Sequence, residues 1–192
     1  MANVAIVVGH SLRDTFCETL GKAYQRGAES GGHNARLFVL SRMNFDPILH
    51  EGYGQVQPLE PDLQAAREAL GACDHLVIIF PLWCGTLPAL LKGFIERVLQ
   101  PDLVAMRRSG GTASWKIFAH KSARIVMTMG MPAFVYRWWF GAHALKMLKR
   151  NILHLIGVRP VRATLFGGID AVSATRRQRW IASVEALGRQ GA

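Results

Sequence analysis

Short, continuous apolar runs alternate along the chain with stretches in which apolar residues recur every three to four positions. The runs at 4–8 (VAIVV), 35–40, 76–80 (LVIIF), 123–129 and 161–166 are short and rich in β-branched residues. They read as strands buried on both faces. Helical spacing marks 15–28, 61–72, 88–99, 141–156 and 173–188. In 88–99, Leu90, Leu91, Phe94, Ile95, Val98 and Leu99 make one apolar stripe. Pro61 suits a first helical turn. Residues 41–60, with Pro47, Gly52, Gly54 and Pro58, read as one long connection, and 100–121 as another.

Strands that alternate with helices predict a parallel sheet covered on both faces. Five strands and five helices predict a doubly wound α/β sandwich of flavodoxin-like type, strand order 2-1-3-4-5. No internal repeat, low-complexity tract or linker divides the chain, so residues 1–192 read as a single domain. In such a sheet ligands bind beyond the carboxyl ends of the strands, at the switch point between the first and third. The loops after strands one, three and four therefore carry the candidate chemistry.

Composition changes this picture little. Half of the 192 residues are hydrophobic and 19% are charged, which excludes a disordered chain. No uninterrupted apolar run reaches the ~18 residues of a membrane span, and the stretch 133–148 is broken by Arg137, His143 and Lys146. The first residues lack the basic-then-apolar build of a signal peptide. Cys17, Cys73 and Cys84 are scattered without paired spacing, so a reducing cytoplasm is the expected location. The net charge of +10 admits nucleic acid, anionic membrane or phosphorylated ligands as partners. The cations are dispersed, however, with Lys146, Lys149 and Arg150 in one helix and Arg176, Arg177 and Arg179 in another. They are read as solvated helix faces, and nucleic acid is not an expected partner.

The loop after strand one, GHSLRDTF (9–16), is too poor in glycine for a dinucleotide fingerprint and lacks the lysine of a P-loop. It offers His10, the Ser11 and Thr15 hydroxyls, the Arg13 cation and a helix N-terminus, the parts of a phosphate cradle. The same residues also suit a plain helix cap through Ser11, Asp14 or Thr15, and both readings stand. The loop after strand three, FPLWCGTLP (80–88), carries Trp83 where a polar turn is usual. Trp83 either packs in the core or walls a flat ligand, with the amides of Leu82 to Gly85 reading the ligand's polar edge. After strand four, Thr128 offers a hydroxyl, Gly130 allows close approach of a planar group, and Met129 and Met131 are core filler or wall. Tyr136 and His143 follow as a possible donor pair. A phosphate end, an apolar wall and a polar floor together suit a flavin mononucleotide moiety.

Four segments, GHSLRDTF (9–16), MNFDPILHEGY (43–53), FPLWCGTLPALLKGFIERVL (80–99) and TMGMPAFVY (128–136), resemble the NAD(P)H:quinone oxidoreductase (DT-diaphorase) group of flavodoxin-like flavoproteins. The resemblance spans nearly the whole chain, and the third segment is its most specific part. It implies a non-covalent FAD or FMN, hydride transfer from NAD(P)H to the flavin and two-electron delivery to quinones or similar acceptors. It also implies a homodimer with the active site at the subunit interface. Carried over by residue, His10, Ser11, Arg13, Thr15, Phe16 and Cys17 match the phosphate and ribityl loop, with Cys17 where Asn is common. Pro81, Leu82, Trp83, Cys84 and Gly85 match the flavin-ring segment, with Cys84 where a second aromatic often stands. Thr128, Met129 and Gly130 match a Thr-Thr-Gly-Gly pattern, in which Met129 and Met131 are departures. Tyr136 falls in register with a Tyr that, with a His, steadies the reduced flavin. His143 resembles that His, displaced by one residue.

On that reading the cofactor carries the redox chemistry and the protein orients it. A donor from Tyr136 or His143 would stabilise charge developing on the ring, and donor and acceptor would use one ring face in turn. No His, Cys and carboxylate cluster has metal-ligand spacing. A flavodoxin-like electron carrier and a regulatory subunit of a potassium-efflux system remain alternatives, the former opposed by the basic charge. A low-molecular-weight phosphatase is excluded, because no Cys has an Arg at the C-x5-R spacing.

Overall fold

The computed structural model describes residues 1–108 and 118–191, without the side chains of 106–108. Its five strands are β1 (Asn3–Val8), β2 (Asn34–Val39), β3 (His75–Pro81), β4 (Ser122–Met129) and β5 (Val161–Gly167). They form one sheet in the order β2-β1-β3-β4-β5, every neighbour parallel. This is the doubly wound order expected from the alternation of elements.

Side-chain alternation sorts the sheet into two cores. Val4, Ile6 and Val8 of β1 and Val77 and Ile79 of β3 face one side. That side is covered by α1 (Phe16–Ser30) and α6 (Ala174–Arg189). Ala5, Val7, Ile78 and Phe80 face the other, under α2 (Pro61–Ala72) and α3 (Ala89–Arg108). A strand apolar at both alternating sets of positions is stable only between two such layers. The α1–α6 crossing depends on glycine. A Cβ at Gly27 would overlap the Glu185 carbonyl oxygen, and one at Gly188 the carbonyl oxygen of Tyr24.

Three expectations need correction. The helix predicted over 88–99 does not end there: α3 runs through Pro101 to Arg108. Proline removes the donor that would serve the Arg97 carbonyl, and the helix is braced beside that gap by the Arg67 guanidinium, which takes the next carbonyl, that of Val98, at 2.6 Å and pairs with Asp102 at 2.8 and 3.1 Å. Val104, 1% exposed, anchors the extension in the core. The rest of the predicted connection, 109–117, lies outside the described residues. A short helix, α4 (Ala133–Trp138), stands where none was expected. The predicted helix 141–156 begins instead at α5 (His143–Lys146) and continues as a π-helical turn, Met147–Leu153.

The connection 43–60 is irregular but held. Arg97, fully buried on α3, donates to the Pro58 carbonyl at 2.7 Å, the Glu60 carboxylate at 2.9 Å and the Asp46 carbonyl. Gln100 accepts from the Gln57 amide at 2.8 Å and donates to the carbonyls of Gly52 and Gln55. Two side chains of one helix thus supply the bonds that a loop without regular structure cannot make within itself. Among the described residues no helix is long and apolar enough to cross a membrane.

Candidate cofactor site

The three loops emerge together at the carboxyl edge, because β1, β3 and β4 are adjacent and parallel. The Gly9 amide donates to the Ile79 carbonyl at 2.8 Å, which ties the first loop to β3. His10 Nδ1 then accepts from the Leu12 amide at 2.9 Å, and its ring meets Trp83 edge-on, centroids 4.9 Å apart. Burial pushes the His10 imidazolium down from its ordinary value, so the ring is neutral at pH 7. Ser11 and Arg13 are exposed, and Arg13 Nε reaches the Ser41 carbonyl at 3.3 Å.

The helix-cap reading of this loop is met by Thr15. Its hydroxyl accepts from the Glu18 amide at 3.3 Å and begins α1. Glu18, 1% exposed, reaches back to accept from the Asp14 amide at 2.9 Å. It also binds Lys22 at 2.8 Å and Arg42 at 3.0 Å. Burial would raise its carboxyl, but these donors win and bring it down to about 2. Glu18 is a structural member of the site that the sequence reading missed. The Thr15-x-x-Glu18 spacing of a capping box was its signal. Capping by Thr15 leaves Ser11 and Arg13 free to face a ligand, so the two readings of the loop are compatible. Phe16 turns the other way, toward Trp180 at 6.2 Å between ring centroids and under Arg177, so only its backbone faces the loop.

The loop after β3 is a tight hairpin. Trp83 and Thr86 exchange backbone bonds at 3.1 and 2.8 Å, and Cys84 and Gly85 take φ of +48° and +73° between them. Two left-handed central residues give the primed turn that suits a two-residue hairpin. This narrows the expectation for the amides of Leu82 to Gly85. Leu82 N–H is committed to the Thr128 carbonyl at 2.8 Å and Trp83 N–H to Thr86. Among the described residues the amides of Cys84 and Gly85 have no protein acceptor, so these two are available to a ligand. Pro81 is buried as the end of β3, Leu82 is half-buried, and Cys84 and Gly85 are exposed. Trp83 is 40% exposed, which excludes the core reading of this side chain.

The loop after β4 differs most from expectation. The Thr128 hydroxyl does not face outward; it is buried against Cys17 Sγ at 3.3 Å. Burial drives the Cys17 thiol up to about 11, the Thr128 bond opposing it slightly, so Cys17 stays protonated. Met129 is buried as well. The side chains of Cys17, Thr128 and Met129 therefore support the floor from beneath. Gly130 is exposed, and a Cβ on it would stand 2.8 Å from an Asp170 carboxylate oxygen, so Asp170 is a second rim residue that spacing could not reveal. Tyr136, 2% exposed, accepts from the Leu145 amide at 3.1 Å through its hydroxyl, and burial keeps that hydroxyl protonated. His143 is exposed, its ring against Gly141. Among the described residues no hydrogen bond joins Tyr136 to His143. Nor is any group of three or more His, Cys, Asp or Glu side chains placed to hold a metal ion.

An apolar cavity of about 50 Å³ lies away from this edge, lined by α3 and by residues 148–158 among others. The edge offers a different donor set: exposed hydroxyl and guanidinium at Ser11 and Arg13, two unpaired amides at Cys84 and Gly85, and a half-exposed indole. Those groups fit a phosphate joined to a flat, polar-edged ring.

This sheet order and edge define a class, and the chain belongs to the flavodoxin-like fold family, whose model matches residues 2–188. The chain is similar to an uncharacterized NAD(P)H oxidoreductase of Haemophilus influenzae, 25% identical over 185 residues that cover 93% of this chain and 90% of the relative. Its fold is similar to that of the NAD(P)H:quinone oxidoreductase from Methanothermobacter marburgensis (TM-score 0.76, 24% identity, 98% and 95% of the two chains covered). It is also similar to that of an FMN-dependent NADH-azoreductase from Bacillus anthracis in complex with FMN (TM-score 0.67, 15% identity, 100% of both chains).

Proposed function

We propose that the protein is an NAD(P)H-dependent flavoprotein oxidoreductase that passes two electrons from a nicotinamide to a quinone or a similar acceptor, and that it works as a homodimer in the cytoplasm. The observation that carries this reading is the Trp83–Thr86 hairpin, which presents a half-exposed indole and two unpaired amides beside the β1 loop. The names of the similar proteins, an NAD(P)H oxidoreductase and a quinone oxidoreductase among them, support it.

A flavin bound here would supply the hydride chemistry. Arg13 and Ser11 would hold its phosphate, helped by the N-terminus of α1. Trp83 would cover the ring, the Cys84 and Gly85 amides would fix its polar edge, and Gly130 would let it lie close to the backbone. With its first end tied to β4 through Leu82 and its turn closed by Trp83 and Thr86, little of the β3 loop's freedom remains to be lost on binding. His10, neutral and edge-on to Trp83, orients the indole. Tyr136 holds α5 in place through Leu145, which leaves exposed His143 as the proton donor of the pair.

The purified protein should carry the absorbance of an oxidised flavin, and mass spectrometry of the released cofactor distinguishes FMN from FAD. NADH or NADPH should bleach it without oxygen, and a quinone should restore it. A colourless protein that takes up neither flavin would overturn the reading.

A further inference from the structure

The amino edge of the sheet, opposite the candidate cofactor site, carries another concavity. Where β1 and β2 begin, a cleft of about 240 Å³ opens between these strands and the last turns of α2. A single water needs only about 10–15 Å³, so the space is that of a small molecule. Its place follows from the fold. β2 is an edge strand, and its residues beside α2, Asn34 and Arg36, are exposed.

The lining is sorted by charge. On the strand side Asn3 is in register with Asn34, and Ala5 with Arg36. Glu68 stands on the helix side. Arg36 and Glu68 share the cleft, yet no ion pair joins them. Arg36 lies instead over the Phe38 ring, 5.2 Å from its centroid, and Glu68 accepts from the Gln64 side-chain amide at 2.8 Å. The polar part of the lining between them is fixed: Asn34 Nδ2 donates to Asn3 Oδ1 at 3.1 Å, and the Asn3 backbone amide donates to Asp74 at 2.8 Å. Among the described residues Asn3 Nδ2 and Asn34 Oδ1 have no protein partner. Buried Ala5 and Ala69 give the rest of the lining only methyl groups.

We propose that this cleft binds a small zwitterion of the amino-acid class, its carboxylate on Arg36 and its ammonium on Glu68. A cation and a carboxylate held apart across one space are matched by a guest that carries both charges. The Arg36 guanidinium can hold a carboxylate with two parallel bonds. The negative end of the α2 dipole lies on the Glu68 side and adds to the attraction for an ammonium. A guest with one charge gains one of these contacts and meets the repulsion of the other group. Pockets for drug-sized ligands are about 300–1,000 Å³, so this smaller one suits a single amino acid better than a peptide. From Asn3 to Val8, β1 puts roughly 17 Å of strand, five steps of ~3.3 Å, between the cleft and the β1 loop. The two sites do not overlap, and the inference stands whether or not a flavin is bound.

The test is a titration of the ¹⁵N-labelled full chain with free amino acids taken singly, β-alanine among them, and with propionate and propylamine, which carry one charge each. The backbone amides of residues 3–5 and 34–36 report binding. A saturable shift is expected with at least one amino acid and with neither singly charged compound. Arg36→Gln and Glu68→Gln should each weaken that binding by at least about tenfold, the scale of one hydrogen bond to a charged group. Both side chains are exposed, so the variants should keep the parent's melting temperature. No saturable shift with any amino acid, an equal shift with propionate or propylamine, or unchanged affinity in either variant overturns the proposal.

Discussion

The loops after β1 and β3 stand side by side at the same edge and are held by different means. The β3 loop is closed by its own backbone: a two-residue turn with left-handed Cys84 and Gly85, and strand-like bonds from Leu82 and Trp83. No titrating group takes part. The β1 loop is held by side chains, with Thr15 capping α1 and the buried Glu18 gathering the Asp14 amide, Lys22 and Arg42. One edge of the site is thus fixed by chain geometry, the other by charge. They should respond differently to acid and to mutation.

The largest expected effect is on the charged side. Glu18 has its carboxyl at about 2 in the folded chain against an ordinary 4.5. The unfolded chain therefore binds the proton more readily, so the stabilisation is complete above pH ~5 and is lost as pH falls toward 2. A shift of that size is worth roughly 3 kcal/mol. Glu18→Gln should lower the melting temperature at pH 7 and flatten its decline on acidification. An unchanged acid slope would mean that the Glu18 network does not hold the β1 loop.

A smaller effect is expected on the geometric side. Gly85→Val puts a β-branched residue at φ +73°, a strain of about 1–3 kcal/mol. Its melting deficit should be the same at pH 7 and pH 4, unlike that of the Glu18 variant, and Trp83 should move off His10 with a change in indole fluorescence. A pH-dependent deficit here would erase the distinction between the two loops.

The legibility of these parts follows from how local each one is. The β-branched runs and the apolar stripe of α3 are patterns of near neighbours, and strand order followed from their alternation. The passage of α3 through Pro101 could not be read, because the Arg67–Asp102 pair that supports it joins residues far apart in sequence. Six-residue α4 is too short to display a helical period. Whether Thr128 and Tyr136 point in or out depends on packing partners, Cys17 and Leu145, that spacing does not reveal. Trp83 was legible as an anomaly in a loop, and its exposure now places it on the surface of the edge.

Trp83→Ala bears most directly on the central claim that the β3 hairpin walls a flavin. Titrating flavin into the flavin-free variant, with thermal melting followed in parallel, separates a ligand wall from a packing residue. The account predicts a loss of roughly 1–3 kcal/mol of flavin affinity, the worth of burying one large apolar side chain, and a melting temperature close to the parent's. Normal flavin affinity with a much lower melting temperature would contradict it.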